Sequence, residues 1–113
     1  MSIPNPKFQI FCSSDDEYYF RLLAENGEII LKSEGYTAKA SCENGIRSVK
    51  ENAVNQARFE NKTTQNGRPY FVLKAANYEI IGVSETYSSE NNRDIGIASV
   101  MANAPIALVE DLV

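Results

Sequence analysis

Carboxylates, tyrosines, serines and two cysteines are the residues that could do chemistry in this chain of 113 residues, because the sequence contains no histidine. Histidine is the commonest general base, the usual partner of a nucleophilic serine or cysteine, and the commonest metal ligand. Its absence disfavours acid–base, nucleophilic and metal-assisted catalysis. We therefore expect a protein that is not an enzyme and that uses no cofactor and no metal.

A Ser-Glu-x-Tyr motif occurs twice, at Ser33–Tyr36 and at Ser84–Tyr87, and each copy precedes a predicted helix. Helix N-termini favour anions, so two such termini close together could bind a phosphate or a carboxylate. The glutamate of each copy argues against an anion. The alternative interpretation is that the tyrosine rings pack where each helix begins, while the serine and glutamate side chains bond to nearby backbone groups. The candidate anion-binding residues are Ser33, Tyr36, Ser84 and Tyr87.

The two motif copies belong to a tandem duplication that covers most of the chain. Shifting the sequence by 51 positions aligns residues 8–53 with residues 59–104 without gaps, and 18 of the 46 aligned positions are identical. Chance would give only a few identities. We therefore predict a single domain, 1–113, made of two repeats, about 8–58 and about 59–113, with the same fold in each repeat.

The cysteines and one acidic run are weaker candidates for chemistry. The spacing of Cys12 and Cys42 matches no zinc or redox motif, and we interpret both as small apolar residues with reduced thiols. Without histidine a reactive thiolate needs a helix N-terminus, which only Cys42 approaches. The run Asp15–Glu17 could hold a cation, but its counterpart in the second repeat is Asn66–Arg68, so a solvated turn is favoured.

Each repeat is predicted to contain three strands followed by one helix. In the first repeat, apolar alternation predicts strands over 8–11, 18–24 and 28–33. Asn26-Gly27 predicts a type I′ hairpin between the last two strands. Tyr78 replaces this glycine in the second repeat, so a different or a strained turn is expected there.

A helix with Thr37 as its predicted N-cap follows in the first repeat, and its copy lies in the second. Gly45 and Gly96 fall inside these helices, where each costs about 1 kcal/mol relative to alanine. We interpret both as sites of close approach to the sheet or to the other helix. A short strand is predicted after each helix, over 56–61 and 106–110.

A repeat of about 50 residues buries too little apolar surface to be stable alone, so the two repeats should share one core. The predicted fold is α+β, with tandem βββα(β) repeats that form one antiparallel sheet. Both helices are expected on one face of the sheet, and the whole should be pseudo-two-fold symmetric.

The sheet face away from the helices is a second candidate site. If Phe20 and Leu22 face the helices, strand alternation places aromatic, basic and aliphatic side chains together on the opposite face. Such a mixture is typical of interface centres, although an antiparallel sheet can also leave one face in water. The candidate binding residues on this face are Tyr19, Arg21, Leu23, Tyr70, Val72 and Lys74.

Several segments resemble the YegP-like family of small bacterial proteins. They are NGEIIL at 26–31, SEGYTAKAS at 33–41 and ENGIRSVK at 43–50, with YFVLKAAN at 70–77 and NRDIGIASV at 92–100 as the second copy. The resemblance implies tandem units that assemble one sheet and exchange their C-terminal strands. It implies no activity, cofactor or functional residue.

Charge and hydropathy limit the partners. The formal net charge is −4 with no basic stripe, which disfavours nucleic acid. No apolar run is long enough for a membrane span or an export segment, so we expect a cytoplasmic location. The function favoured is a monomeric, non-enzymatic interaction module that offers the open sheet face or an edge strand to a protein or peptide. The alternative is small-molecule or anion binding at the seam between the repeats.

Overall fold

Seven strands and two helices make up the computed structural model, which describes residues 3–113. The strands are β1 Lys7–Cys12, β2 Tyr18–Leu23, β3 Ile29–Lys32, β4 Phe59–Thr63, β5 Pro69–Lys74, β6 Ile80–Val83 and β7 Leu108–Asp111. The helices are α1 Lys39–Asn52 and α2 Glu90–Asn103. A short 3₁₀ turn follows each helix, at Gln56–Arg58 and Ala104–Ile106, so the strands β4 and β7 begin later than the sequence pattern predicts.

All strands join one sheet in the order β4-β5-β6-β3-β2-β1-β7. The repeats meet at its centre, where β3 and β6 pair antiparallel with Lys32 opposite Val83. The last strand of the second repeat, β7, lies beside β1 of the first repeat and runs parallel to it. The sheet is therefore mixed, and the expectation of a wholly antiparallel sheet is wrong. A strand that follows a helix is free to run parallel to its neighbour, whereas a strand that follows a hairpin is not.

The hairpin between β2 and β3 differs from the predicted type I′ turn. Gly27 has φ 85°, but it is the one residue of the loop 25–27 with positive φ, and type I′ needs two. The Gly27 N–H donates to Ala24 O and the Ala24 N–H donates to Glu28 O, both at 2.9 Å, which closes a three-residue loop. The equivalent loop in the second repeat keeps the same hydrogen bonds with Tyr78 at φ 70°, so that turn is strained.

A bulge in β3 decides which side chains face the helices. Leu22 pairs with Leu31 and Leu23 pairs with Ile29, which leaves Ile30 as the extra residue. Ile30 and Leu31 are both buried in the core, and β6 has the same register shift. The bulge thus explains why neighbouring residues of one strand are both in the interior.

Both helices pack on one face of the sheet over a single core that draws residues from both repeats, as predicted. The helix glycines make room mainly for tyrosine rings, and the predicted close approach to the sheet holds only for Gly45, whose Cβ would also meet Phe20 of β2 at 3.0 Å. A Cβ on Gly45 would lie 2.5 Å from Tyr36 Oη, and one on Gly96 would overlap Tyr87. Each ring is stacked on a strand phenylalanine: the Phe20–Tyr36 centroids are 6.4 Å apart.

The two helices begin differently. The N-cap of α1 is Ala38, not the predicted Thr37, and no side chain bonds to its first turn. In α2 the Ser89 hydroxyl accepts a hydrogen bond from the Asn92 N–H at 3.1 Å. Within the described residues, no helix has the length and apolar character needed to cross a membrane.

Candidate functional site

The sheet face opposite the helices, called the open face below, carries a continuous row of side chains. The row crosses all seven strands through consecutive pairings, in the order Glu110, Gln9, Arg21, Lys32, Val83, Val72 and Glu60. Its first four members belong to the β7-β1-β2-β3 half of the sheet and the other three to the β6-β5-β4 half. The two halves therefore differ in charge and in chemistry.

An aromatic–arginine cluster, made of Phe11, Tyr19 and Arg21, dominates the β1-β2 part of the open face. The Phe11 and Tyr19 rings are stacked with centroids 5.7 Å apart. The Arg21 guanidinium carbon lies 4.6 Å from the Phe11 ring centroid, within the range of a cation–π contact. The Tyr19 hydroxyl donates to Asp15 Oδ2 at 2.6 Å, which raises the pKa of Tyr19 to about 12 and lowers that of Asp15.

A polar chain anchors this cluster to β7. Arg21 Nε donates to Gln9 Oε1 at 2.7 Å, and Gln9 Nε2 donates to Glu110 Oε1 at 2.8 Å. Lys7 Nζ lies 3.0 Å from the same carboxylate oxygen. The hydrogen bonds from Gln9 and Lys7, with one from the Ile3 N–H, lower the pKa of Glu110 to about 2. The Arg21 side chain is thus held by contacts on two sides.

A groove of about 270 Å³ opens next to the cluster. Its lining combines aromatic and aliphatic surface with two cations, Arg21 and Lys32. The Lys32 ammonium lies 2.6 Å from a Glu85 carboxylate oxygen, and both side chains are half exposed. We call this the cation-lined groove. Its lining residues are Phe11, Tyr19, Phe20, Arg21, Ile29, Lys32 and Ser33.

The β5 part of the open face is different, although half of the predicted binding residues lie there. Val72 is only 3% exposed, so it offers no surface to a partner. Lys74 pairs with Glu60, and Lys62 lies 3.6 Å from the same carboxylate. Tyr70 is half-buried. This half of the open face therefore consists of ion pairs between lysine and glutamate side chains around a buried valine.

The predicted set is therefore only partly assembled. Tyr19 and Arg21 share the cluster, Leu23 lies further along the same strand, and the other three lie across the sheet. Sequence reasoning missed Phe11, Ile29 and Lys32. The pairings of Phe11 with Tyr19 and of Lys32 with Arg21 follow from hairpin register, which was the signal that could have identified them.

The proposed anion-binding residues have structural partners. The Ser33 hydroxyl accepts from the Phe20 N–H and donates to Glu34 O, each at 2.9 Å. Ser84 makes the equivalent bonds in the second repeat. Tyr36 and Tyr87 pack on the helix glycines, and burial raises the pKa of both hydroxyls. The serine and tyrosine contacts match the alternative interpretation of the motif, whereas the Glu85 carboxylate pairs with Lys32 and not with a backbone group.

A second groove, the seam groove, lies between the repeats on the helix side. Its volume is about 390 Å³, and residues 24–30 of the first repeat and residues 86–99 of the second contribute to its walls. Its lining contains one carboxylate, Glu28, and no lysine or arginine. Its charge therefore disfavours an anion.

The two cysteines and the acidic turn are the remaining candidates for chemistry. Cys42 is fully buried, and burial raises its pKa to about 11, so it is a poor thiolate nucleophile. Cys12 is exposed at the end of β1. Among residues 3–113 no group of three His, Cys, Asp or Glu side chains is placed to hold a metal ion. In the turn at Asp15–Glu17, Asp15 accepts from the Glu17 N–H and from Tyr19.

Both repeats match the sequence profile of the family described as "Domain of unknown function (DUF1508)", over residues 13–60 and 65–111. The chain belongs to this family. Among DUF1508 relatives, the UPF0339 protein YegP of Escherichia coli strain K12 is 50% identical over 104 residues, which cover 92% of this chain and 94% of YegP. A UPF0339 protein of Acinetobacter baylyi is 52% identical over 105 residues, covering 93% of this chain and 95% of that protein. The resemblance to the YegP-like family is therefore confirmed.

Two solved structures of similar proteins share the fold described above. The solution NMR structure of YegP from E. coli has a TM-score of 0.90 at 47% identity and covers 99% of this chain and 97% of its own. The NMR structure of a UPF0339 protein from Shewanella oneidensis has a TM-score of 0.88 at 47% identity, covering 94% and 90%. The two DUF1508 matches and these structures thus agree on the tandem fold, and DUF1508 assigns no activity.

Proposed function

We propose that this protein is a non-enzymatic interaction module that binds a protein or peptide through the cation-lined groove of its open face. The observation that carries the proposal is the aromatic–arginine cluster beside that groove. Aromatic and arginine side chains contribute most of the binding free energy at many interfaces. The proposal thus keeps the open face predicted from sequence but restricts the site to the first repeat.

The cluster is suited to binding because its side chains are already fixed. Arg21 is held by Gln9 and by the Phe11 ring, and Tyr19 is held by Asp15 and by ring stacking. Side chains ordered before association lose less conformational entropy when a partner binds. The cluster therefore needs little rearrangement to form an interface.

The charges of the groove indicate the partner's chemistry. Arg21 and Lys32 place two cations on a chain whose net charge is −4. The exposed Lys32–Glu85 pair contributes little to stability, so a partner carboxylate can replace Glu85 at small cost. The partner expected is an acidic segment with an apolar or aromatic side chain that stacks on Tyr19.

A comparison of two double variants tests the proposal. Tagged wild-type protein, the Tyr19→Ala/Arg21→Ala variant and the matched Tyr70→Ala/Lys74→Ala variant are used to capture proteins from bacterial lysate. Thermal unfolding is used to verify that all three are folded. We expect a captured protein that the first variant loses and the second keeps, and the purified candidate should then bind directly. Identical capture by all three would overturn the proposal.

The seam groove supports a second candidate function, the binding of a neutral or cationic small molecule. Its volume of about 390 Å³ and its position between the repeats are the supporting observations. A thermal-shift screen with metabolites tests this, since a ligand at a hundred times its Kd adds about 2.7 kcal/mol of stability. A shift that Thr86→Trp abolishes by filling the groove would support it. An empty screen would exclude it for the compounds tried.

A further inference from the structure

The two repeats do not complete the sheet in the same way. The pseudo-two-fold axis between β3 and β6 relates β2 to β5 and β1 to β4. β7 lies along the outer edge of β1, whereas within residues 3–113 no strand lies along the outer edge of β4. The position that β7 occupies in one half of the sheet is therefore unfilled in the other half.

The burial of equivalent residues reflects this difference. Phe8 of β1 is 0% exposed beneath the β7 edge, whereas its counterpart Phe59 of β4 is partly exposed. Ile10 is buried and its counterpart Asn61 is exposed. The outer edge of β4 thus lacks the cover that the outer edge of β1 has.

A groove of about 370 Å³, the edge groove, lies at this unfilled position between β4 and α2. In the half of the sheet that contains β7, Val109 pairs with Phe8 and lines a groove together with Ile46 of α1. The counterparts of Phe8 and Ile46 are Phe59 and Ile97, and both line the edge groove. The residues that line it are Gln56, Phe59, Asn61, Arg93, Asp94 and Ile97.

Arg93 supplies a buried positive charge in this groove. It stands where the first repeat has Cys42, and it is only 8% exposed. Its guanidinium donates to Asp94 Oδ1 at 3.1 and 3.2 Å, and the Asp94 side chain is 62% exposed. A buried guanidinium is costly unless anions compensate it, so a groove lined by Arg93 favours a second carboxylate.

In the half of the sheet that contains β7, an acidic residue of the added strand pairs with a cation of the helix. Two residues after Val109, Asp111 pairs with Ile10 on the helix side and bonds to Lys39 of α1. The counterpart of Ile10 is Asn61, which lines the edge groove together with Arg93. The counterpart of Lys39 is Glu90, so a carboxylate placed like Asp111 would not meet an equivalent lysine, and the cation that lines the edge groove with Asn61 is Arg93.

We propose that the edge groove binds an extended peptide of a partner protein as an eighth strand, parallel to β4. The peptide carries an apolar residue over Phe59 and Ile97 and a carboxylate two residues later for Arg93. Backbone hydrogen bonds to the free edge of β4 supply affinity, and the two side chains supply specificity. This site lies at a sheet edge, apart from the cation-lined groove, and does not depend on the function proposed above.

The probe for the test is a synthetic peptide with the sequence of residues 106–113, IALVEDLV, which has the apolar-x-acidic spacing of β7. It is titrated into ¹⁵N-labelled full-length protein and followed by NMR. We expect chemical-shift changes in β4 and α2. Changes confined to β1 and α1 would mean that the peptide displaces β7, and no changes at millimolar peptide would mean that the groove does not bind it. Either result would overturn the proposal.

Charge variants test the pairing with Arg93. Replacing the aspartate of the peptide by asparagine should weaken binding about tenfold, and Arg93→Gln should weaken binding of the original peptide similarly. The two changes together should weaken it little further. Arg47→Gln, on the side of the sheet that β7 covers, is the matched control and should leave binding unchanged. Equal affinity of the aspartate and asparagine peptides would contradict the proposal, as would concentration-dependent dimerisation of the protein alone through β4.

Discussion

At the residue scale, the helix glycines are specified by the tyrosines that pack on them. Gly45→Ala gains about 1 kcal/mol of helix propensity, but the new Cβ would lie 2.5 Å from Tyr36 Oη and 3.0 Å from Phe20. Overpacking of this kind costs about 1–3 kcal/mol, so we expect a lower free energy of unfolding in urea.

A double variant separates the clash from other effects of the substitution. Tyr36→Phe removes the hydroxyl that the Gly45→Ala methyl meets, so the double variant should be more stable than the sum of the two single changes predicts. Additive changes, or a Gly45→Ala protein more stable than wild type, would show that Tyr36 does not determine the glycine.

Glu110 makes the free energy of unfolding depend on pH in the acidic range. Its pKa is lowered in the folded protein from 4.5 to about 2, so its ionised form favours folding. That contribution is complete above pH 4.5 and is lost as the pH falls towards 2. We expect Glu110→Gln to be less stable than wild type at pH 6 in urea unfolding, with the difference shrinking between pH 4.5 and pH 2.5.

The matched control for the loss of a carboxylate is Glu25→Gln, a change in an exposed hairpin turn. Its free energy of unfolding at pH 6 should stay close to that of wild type, because the same change of charge is made without loss of the contacts to Lys7 and Gln9. If the stability difference for Glu110→Gln did not change with pH, the network that joins Lys7, Gln9 and Glu110 would not be the cause.

Sequence reasoning at this scale succeeded where a residue's role follows from its own strand. The alternation of β2 places Tyr19 and Arg21 on the open face and Phe20 in the core, as predicted. Val72 occupies the equivalent position in β5, but its cover comes from neighbours on other strands, Glu60 and Val83. Such cover depends on how neighbouring side chains of the open face pack on one another, which the alternation of one strand does not specify.

At the element scale, α1 and α2 offer a matched pair of helix starts. Ala38 has the extended backbone of an N-cap, φ −125° and ψ 139°, but no side-chain hydrogen bond, whereas Ser89 caps α2. Ala38→Ser should therefore raise the free energy of unfolding by about 1 kcal/mol, and Ser89→Ala should lower it by a similar amount. Urea denaturation measures both.

The predicted cap Thr37 provides the control for this pair. Thr37→Ala should change stability by less than Ser89→Ala, because Thr37 precedes the N-cap rather than forming it. A loss equal to that of Ser89→Ala would mean that α1 begins at Thr37 after all. The predicted N-cap was wrong by one residue because threonine is a common N-cap and alanine is a poor one.

The other element-level errors have a common physical origin. The Asn26-Gly27 pair favours a tight turn, but the register of β2 and β3 requires a three-residue loop with one positive φ. The direction of β7 is likewise set by tertiary structure: α2 ends near one end of the sheet, and a strand that starts there runs parallel to β1. Local propensity predicted the existence of the elements, and tertiary packing decided their turns and directions.

At the scale of the whole molecule, the duplication predicted the common sheet and core, but not the asymmetry between its edges. The chain that follows α1 becomes β4 and begins the second repeat, whereas the chain that follows α2 crosses to β1 as β7. One repeat therefore receives an extra strand from the other. The replacement of Ile10 by Asn61 and of Cys42 by Arg93 was the signal in the sequence that the two edges differ.

The shared core predicts that neither repeat unfolds alone. Leu31 of β3 is fully buried and lies so close to Gly82 of β6 that a Cβ there would meet its side chain at 2.6 Å. Leu31→Ala should cost about 2–5 kcal/mol. Leu31 lies between the repeats, so we expect both repeats to be destabilised equally. In native-state hydrogen exchange, the free energy of opening of the slowest-exchanging amides should fall by the same amount in β2 and in β5. Val54→Ala, at an exposed site, should change neither. If β2 lost protection while β5 kept it, each repeat would have its own core. Only separate cores would confine the effect of Leu31→Ala to the first repeat.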